Sequence, residues 1–210
     1  MNAYQTLKQF AECKVEVEKS TFISLAYAIN SEDDVPVYLQ QAKIKFPNAN
    51  HYVYAYTCGR NQEVQKFSDD GEPSGTGGLP ILEIFKYKEL EDTLVIVVRY
   101  FGGVKLGTGG LKRAYSKAAL EAIQLSGIIK LTLCRQVNIK CPYTHWGRMQ
   151  YELENKKVLV DDIHYQDEVL VKVAIPLSET AAFITWINSM TASQAETEET
   201  NQSYREVNAG

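Results

Sequence analysis

An uninterrupted apolar strand, two glycine clusters and a long amphipathic helix follow one another in the middle of the chain, and this succession constrains the fold most. Thr93–Val98 (TLVIVV) is a continuous β-branched run, which is typical of a strand covered on both faces. The glycine clusters follow at 102–103 and 107–110. Apolar residues then recur at helical spacing over Leu111–Ile123, and Gly127 is placed to end that helix.

The other periodic segments fall into two groups. In the first, we predict one or two strands over 14–28, a helix over 31–46, strands over 51–58 and 62–67, a loop over 68–78 and a short helix over 80–87. In the second, we predict a strand over 135–141, a helix over 143–155, strands over 158–165 and 168–175, a helix over 178–190 and a last strand over 192–199. The second order is that of a ferredoxin-like unit. The fold class is therefore α+β, with domains over 1–133 and 134–200 and a polar tail over 201–210.

Composition indicates an ordinary globular protein. The 210 residues are 45% hydrophobic and 23% charged, with a net charge of −4. No apolar run approaches the ~18 residues that a membrane span needs, and the start of the chain lacks a signal-peptide pattern. We therefore expect a cytoplasmic protein without a membrane partner. Its four cysteines are widely spaced, which favours free thiols over a zinc or dithiol motif.

The charge is unevenly distributed, because the segment 93–120 contains no acid and five bases. These bases are Arg99, Lys105, Lys112, Arg113 and Lys117. A glycine-rich helix start surrounded by cations can bind an anion through its free N–H groups, whereas the alternative is that the glycines only allow tight turning and close packing. Thr108 stands where a P-loop needs lysine, and Lys112 stands where a dinucleotide motif needs its third glycine. A standard nucleotide site is therefore not predicted.

The loop 68–78 carries three acids, Asp69, Asp70 and Glu72. Carboxylates can bind Mg²⁺ or act as general acids and bases, but a solvated turn in which aspartates bond their own backbone is the alternative. Ser74 and Thr76 could act as nucleophiles only if a base reached them from elsewhere.

Two further sets of side chains have both a functional and a structural interpretation. Tyr52, Tyr54 and Tyr56 alternate along one strand face, where they could stack nucleic-acid bases or fill the core under a helix. Core packing is favoured, because one face of a sheet has to be covered. His145 and His164 are isolated from other ligand types, so no metal site is predicted there.

Three strings closely resemble the IMPACT/YigZ family. They are S-D-D-G-E-P-S-G-T (68–76), R-Y-F-G-G-V-K-L-G (99–107) and G-G-L-K-R-A-Y (109–115). The resemblance covers essentially the whole chain. It implies a first domain similar to the second domain of ribosomal protein S5, and a second domain similar to domain V of elongation factor G. Both of those relatives contact RNA. The chain looks like the short bacterial form, which lacks the RWD domain of eukaryotic members.

The resemblance implies no catalytic residue and no cofactor. Many relatives have His-x-Cys where this chain has His51, Tyr52 and Val53, so no catalytic thiol is expected there. The leading hypothesis is a non-enzymatic protein that binds RNA, the ribosome or a translation-related protein, and regulates translation. The alternative is a Mg²⁺-dependent enzyme that acts on a phosphorylated small molecule or nucleotide at the two glycine-rich loops.

Two sets of residues are the candidates. The nucleic-acid- or anion-binding set, here called the basic edge, comprises Arg99, Lys105, Gly107, Gly109, Gly110, Lys112, Arg113 and Lys117. The motif loop comprises Asp69, Asp70, Gly71, Glu72, Pro73, Gly75 and Thr76.

Overall fold

A computed structural model describes residues 3–207, and these residues divide into two compact units. The first unit ends at Ile129 and the second begins at Lys130, slightly before the expected boundary after residue 133. Each unit combines helices with an antiparallel sheet, so the predicted α+β class is confirmed.

Apart from the first strand and a 3₁₀ turn, which the sequence pattern does not predict, the elements of the first unit lie close to their predicted positions. The elements of this unit are β1 (Ala3–Leu7), β2 (Ala11–Val17), β3 (Ser20–Ala28), α1 (Asp34–Lys45), β4 (His51–Cys58), a 3₁₀ turn (Arg60–Gln62), β5 (Val64–Ser68), α2 (Gly78–Tyr87), β6 (Thr93–Tyr100) and α3 (Gly107–Ser126). Five of these strands form one sheet in the order β2-β3-β6-β4-β5, and all neighbours are antiparallel.

The central strand β6 is covered on both faces, as its unbroken apolar sequence predicts. Val95 and Val97 belong to the core cluster that includes buried side chains of α2 and α3. Leu94, Ile96 and Val98 belong to the cluster that includes the buried residues of α1. The first unit is therefore a sheet with helices on both sides, and its core lies in two layers.

The tyrosines of β4 lie in the layer that contains α1. Tyr56 is 5% exposed, and Tyr52 and Tyr54 are partly buried against the same cluster. The Tyr52 hydroxyl donates to the Phe46 carbonyl oxygen at the end of α1. The pKa of Tyr56 is raised to about 12, mainly by burial and next by its hydrogen bond to the Glu32 carboxylate. These rings fill the core and do not form an open base-stacking face.

The second unit has the predicted ferredoxin-like order. Its elements are β7 (Ile128–Cys141, which begins in the first unit), α4 (Tyr143–Asn155), β8 (Leu159–Tyr165), β9 (Val169–Pro176), α5 (Thr180–Met190) and β10 (Glu196–Glu206). The four strands are arranged β10-β7-β9-β8, with antiparallel neighbours. Buried residues of α4 and α5, such as Met149 and Ile187, share a core cluster with Val137 and Val171.

Several expected boundaries are wrong. β7 begins at Ile128, well before the expected start at residue 135. The glycine cluster 107–110 forms the first turn of α3 instead of preceding the helix. The expected tail also differs, because β10 continues to Glu206 and residues 202–206 pair with β7 after a register shift. Pairing with a neighbouring strand satisfies the polar backbone of this sequence, which has little apolar periodicity of its own. The remainder of the expected tail, 208–210, lies outside the described residues.

We expect Ile96→Ala to lower the free energy of unfolding by about 2–5 kcal/mol, because Ile96 is fully buried on the central strand and truncation leaves a cavity. Urea denaturation followed by circular dichroism measures the loss. Ile44→Ala on α1 is the control, since Ile44 is 73% exposed and its truncation should change stability by about 0.5 kcal/mol or less. Equal effects of the two changes would contradict this description of the core.

Candidate functional site

The loop between β5 and α2 is held by the carboxylate of Asp69. Its two oxygens accept hydrogen bonds from the backbone N–H groups of Gly75, Gly77 and Gly78, at 2.7, 2.9 and 2.9 Å. The last two amides belong to the start of α2, where the positive end of the helix dipole favours a negative charge. Asp69 therefore acts as a remote cap for α2.

Asp70 attaches the same loop to the first residues of β4. Its Oδ2 accepts from the Tyr52 N–H at 2.6 Å, and its carbonyl oxygen lies 2.7 Å from His51 Nδ1. Gly71 follows with φ of +87°, a left-handed conformation that strongly favours glycine.

Glu72 is the centre of a buried polar cluster. Its Oε1 accepts from Arg99 Nη1 at 2.5 Å and from the Tyr115 hydroxyl at 2.7 Å. The Glu72 and Arg99 side chains are only 4% and 6% exposed, and Tyr115 is fully buried. Burial, and next the neighbouring carboxylate, raise the pKa of the Tyr115 phenol above its ordinary value. The phenol therefore stays protonated and donates to Glu72.

Arg99 has further partners in this cluster. Its Nη2 lies 3.4 Å from Ser20 Oγ. Its guanidinium carbon lies 5.4 Å from the ring centre of Phe22 and 5.5 Å from that of Phe101, within cation–π range of both rings. His51 Nε2 lies 3.8 Å from Glu72 Oε1 in the same cluster.

These contacts unite the three strings that carry the family resemblance. Glu72 comes from the first string, Arg99 from the second and Tyr115 from the third. The structure also corrects one expectation. Arg99 was assigned to the basic edge, but its charge is neutralised by Glu72 inside the protein, so it is not available to a phosphate in solution.

The rest of the motif loop is shaped by its backbone. The Thr76 N–H and hydroxyl both bond the Pro73 carbonyl oxygen, at 3.1 and 2.6 Å, and Thr76 is 2% exposed. Gly75 has φ of +72°. Thr76 is therefore a turn residue and not an accessible nucleophile, whereas Ser74 is exposed.

The acids of this loop have protein partners, but the expected solvated turn fits only Asp69, which bonds nearby backbone. Asp70 bonds the Tyr52 N–H, and Glu72 is buried beside Arg99. Within residues 3–207, no group of three or more His, Cys, Asp or Glu side chains is arranged to hold a metal ion. Both carboxylate oxygens of Asp69 and one each of Asp70 and Glu72 accept hydrogen bonds from protein groups. This arrangement favours a structural role for Asp69, Asp70 and Glu72.

The remaining members of the basic edge lie on or beside the start of α3. Lys105, Gly107, Gly109, Lys112, Arg113 and Lys117 are exposed, and Gly110 is half-buried. Lys105, Gly110, Arg113 and Lys117 line one groove of about 540 Å³, and Lys112, Arg113 and Lys117 line a second of about 410 Å³. Leu106, which precedes the helix, has no polar atom in its side chain with which to cap the N–H groups of the first turn. Cations and an uncapped helix start therefore share one surface.

Acids from other segments reduce the charge of this surface. Glu16 and Glu18, from β2 and the turn after it, line the same groove as Lys105. Lys117 lies 3.9 Å from Glu121 one turn further along α3. A segment without acids in the sequence is therefore not a surface without acids.

Three members of the site were missed from the sequence. No sequence pattern indicates a polar role for Tyr115, His51 or Ser20. A pairing between distant charges, such as Glu72 with Arg99, leaves no periodic signal in one sequence. The indication that was present is the position of Arg99, a charge that directly follows an unbroken buried strand.

Comparison with known proteins places the chain in a family. Residues 18–123 match the Impact N-terminal domain, and residues 139–194 match a "Domain of unknown function (DUF1949)". The chain belongs to the IMPACT family, as the three strings predicted. It is 37% identical to the IMPACT family member YvyE of Bacillus subtilis over 206 residues, which cover 98% of this chain and 95% of that protein.

Other relatives match over different lengths. The IMPACT family member YigZ of Escherichia coli is 30% identical over 170 residues, or 80% of this chain and 83% of that protein. Protein IMPACT of Danio rerio is 32% identical over 83 residues, which are 38% of this chain and 26% of that protein. A crystal structure described as that of a hypothetical protein covers 96% of this chain with a TM-score of 0.62 and 25% identity; the match covers 98% of that chain.

No helix among residues 3–207 combines the length and apolar character that crossing a membrane requires.

We expect Glu72 and Arg99 to be strongly coupled. Glu72→Met or Arg99→Met alone should lower the free energy of unfolding by about 3–5 kcal/mol, because each leaves a buried charge without its partner. The free energy of unfolding of the double variant should fall by much less than the sum of the two single losses. Urea denaturation of the four proteins gives the coupling energy.

The matched control is the exposed pair Glu32 and Lys66, whose charged atoms are 2.6 Å apart with side chains 38% and 61% exposed. Its coupling energy should be below about 1 kcal/mol. A coupling between Glu72 and Arg99 no larger than that of the control would show that the buried pair does not hold the loop.

Proposed function

We propose that the protein binds RNA or the ribosome through the exposed part of the basic edge and regulates translation without catalysing a reaction. The observation that carries this proposal is the convergence of Lys105, Lys112, Arg113 and Lys117 on the uncapped start of α3. Lysine and arginine bind phosphates, and N–H groups at a helix start add to that attraction.

Family membership supports the same function. The resemblance implies domains similar to parts of ribosomal protein S5 and elongation factor G, both of which contact RNA. The ferredoxin-like order of the second unit agrees with the second of these similarities. Both similarities favour a ligand that takes part in translation.

The charge distribution makes the proposed binding local and dependent on salt. The chain as a whole carries −4, so attraction to RNA has to come from one surface and not from the net charge. Each phosphate contact releases counterions and adds about 0.7 to the slope of log affinity against log salt for single strands, and about 0.9 for duplexes. Affinity should therefore fall steeply as salt rises.

We expect replacement of Lys112, Arg113 and Lys117 by Glu to abolish most RNA or ribosome binding. The salt slope on a single strand should fall by about 2, because three phosphate contacts are lost. Thermal stability should change little, since all three side chains are exposed. Fluorescence anisotropy with a labelled RNA, together with ribosome co-sedimentation at low salt, measures the effect.

The control variant replaces Lys43, Lys86 and Lys88 by Glu, which changes the net charge equally on α1, on α2 and just after α2. It should retain binding. If the variant at α3 binds as tightly as the parent, or if the control loses as much affinity, the basic edge is not the binding surface.

A further inference from the structure

An exposed aromatic side chain lies on the segment that leads to the basic edge. Phe101 directly follows β6 and is 45% exposed, although most large apolar side chains of this strand are fully buried. The segment 101–106 leads from this ring to the first turn of α3 and includes the exposed Lys105. Phe101 and Lys105 therefore lie on the same short segment that leads into α3.

The backbone around Phe101 is fixed from two sides. The Phe101 N–H donates to Asn50 Oδ1 at 2.8 Å, and the Gly102 N–H donates to Ser20 Oγ at 3.2 Å. A Cβ on Gly102 would lie 1.9 Å from the Lys19 carbonyl oxygen, so the chain packs directly on the turn between β2 and β3. The ring is therefore presented by an ordered backbone, which lowers the entropy cost of binding.

The buried cluster supports the ring as well. The Arg99 guanidinium lies over Phe101, with 5.5 Å between its carbon and the ring centre, and Arg99 is itself held by Glu72. A cation–π contact supports the ring from within the protein, while nearly half of the side chain faces solvent. An unused aromatic surface of this kind can receive a second planar group.

Base stacking distinguishes single strands from duplexes. Bases in a duplex stack on one another, whereas unpaired bases can turn outward and stack on an aromatic side chain. The cations near α3 would contact phosphates in either form. Phe101 can add to the binding affinity only when an unpaired base is free to stack on it.

We infer that Phe101 is a stacking residue, and that the ligand of the basic edge is single-stranded RNA. This inference rests on the proposed function, because it assigns a class of RNA to the same surface. The phosphates lie along Lys105 and the start of α3, and one base stacks on Phe101.

The test measures binding of the full chain to a labelled 12-nucleotide RNA and to the duplex of the same sequence, by fluorescence anisotropy at one salt concentration. The parent should prefer the single strand. Phe101→Ala and Phe101→Leu should weaken single-strand binding about tenfold, because a stacked base contributes roughly that much. Duplex binding and the salt slope should be unchanged, since the phosphate contacts remain.

Phe101→Trp and Tyr87→Ala complete the set. The tryptophan variant should bind like the parent, and its fluorescence should be quenched by the RNA. Tyr87, an 88% exposed aromatic residue at the end of α2, is the matched control, and its removal should have no effect. A parent that binds both RNA forms equally, with no loss in Phe101→Leu and no quenching in Phe101→Trp, would overturn the inference and leave the proposed function standing. A parent that binds neither RNA nor ribosomes would overturn both.

Discussion

One buried carboxylate links the segments that form the candidate surface. Glu72 accepts hydrogen bonds from Arg99 at the end of β6 and from Tyr115 in α3, so the motif loop, the central strand and the long helix meet on one side chain. A buried carboxylate without partners would destabilise the fold by several kcal/mol. Because both partners are present, the same carboxylate holds the three segments in one arrangement. The other two acids of the loop complete this attachment, through the amides at the start of α2 and the first residues of β4.

The division between buried and exposed charge follows from this interaction. Arg99 is neutralised inside the protein, and its guanidinium supports Phe101. The cations at the start of α3 remain exposed, in a groove that also includes Glu16 and Glu18. The proposed binding depends on local attraction to these cations, because the whole chain is negative, and the two acids would weaken that attraction. The buried cluster thus serves the proposed binding indirectly, by fixing the elements that carry the exposed groups.

The elements with strong periodicity could be predicted from the sequence. The continuous run of β6 indicated burial on both faces, and the helical spacing in α3 indicated its buried side, because both patterns depend on local geometry alone. The start of α3 was placed too late, since four residues with three glycines have low helix propensity and are held by the surrounding fold. The last strand was placed too short, because its final residues are ordered by pairing with β7 and not by apolar periodicity. Arg99 was assigned to the surface because its partner, Glu72, lies 27 positions away and no single-sequence pattern connects the two.

Hydrogen–deuterium exchange of the Arg99→Lys variant tests most directly whether the Glu72 cluster holds the candidate surface together. Lysine keeps the positive charge but cannot reproduce the guanidinium contacts with Glu72, Ser20 and Phe101. We expect amides of both the motif loop, 69–78, and the segment 101–106 to exchange faster than in the parent, while amides of β8 and β9 in the second unit keep their rates. Unchanged exchange in both segments, or faster exchange in only one of them, would contradict the claim that one buried cluster fixes both.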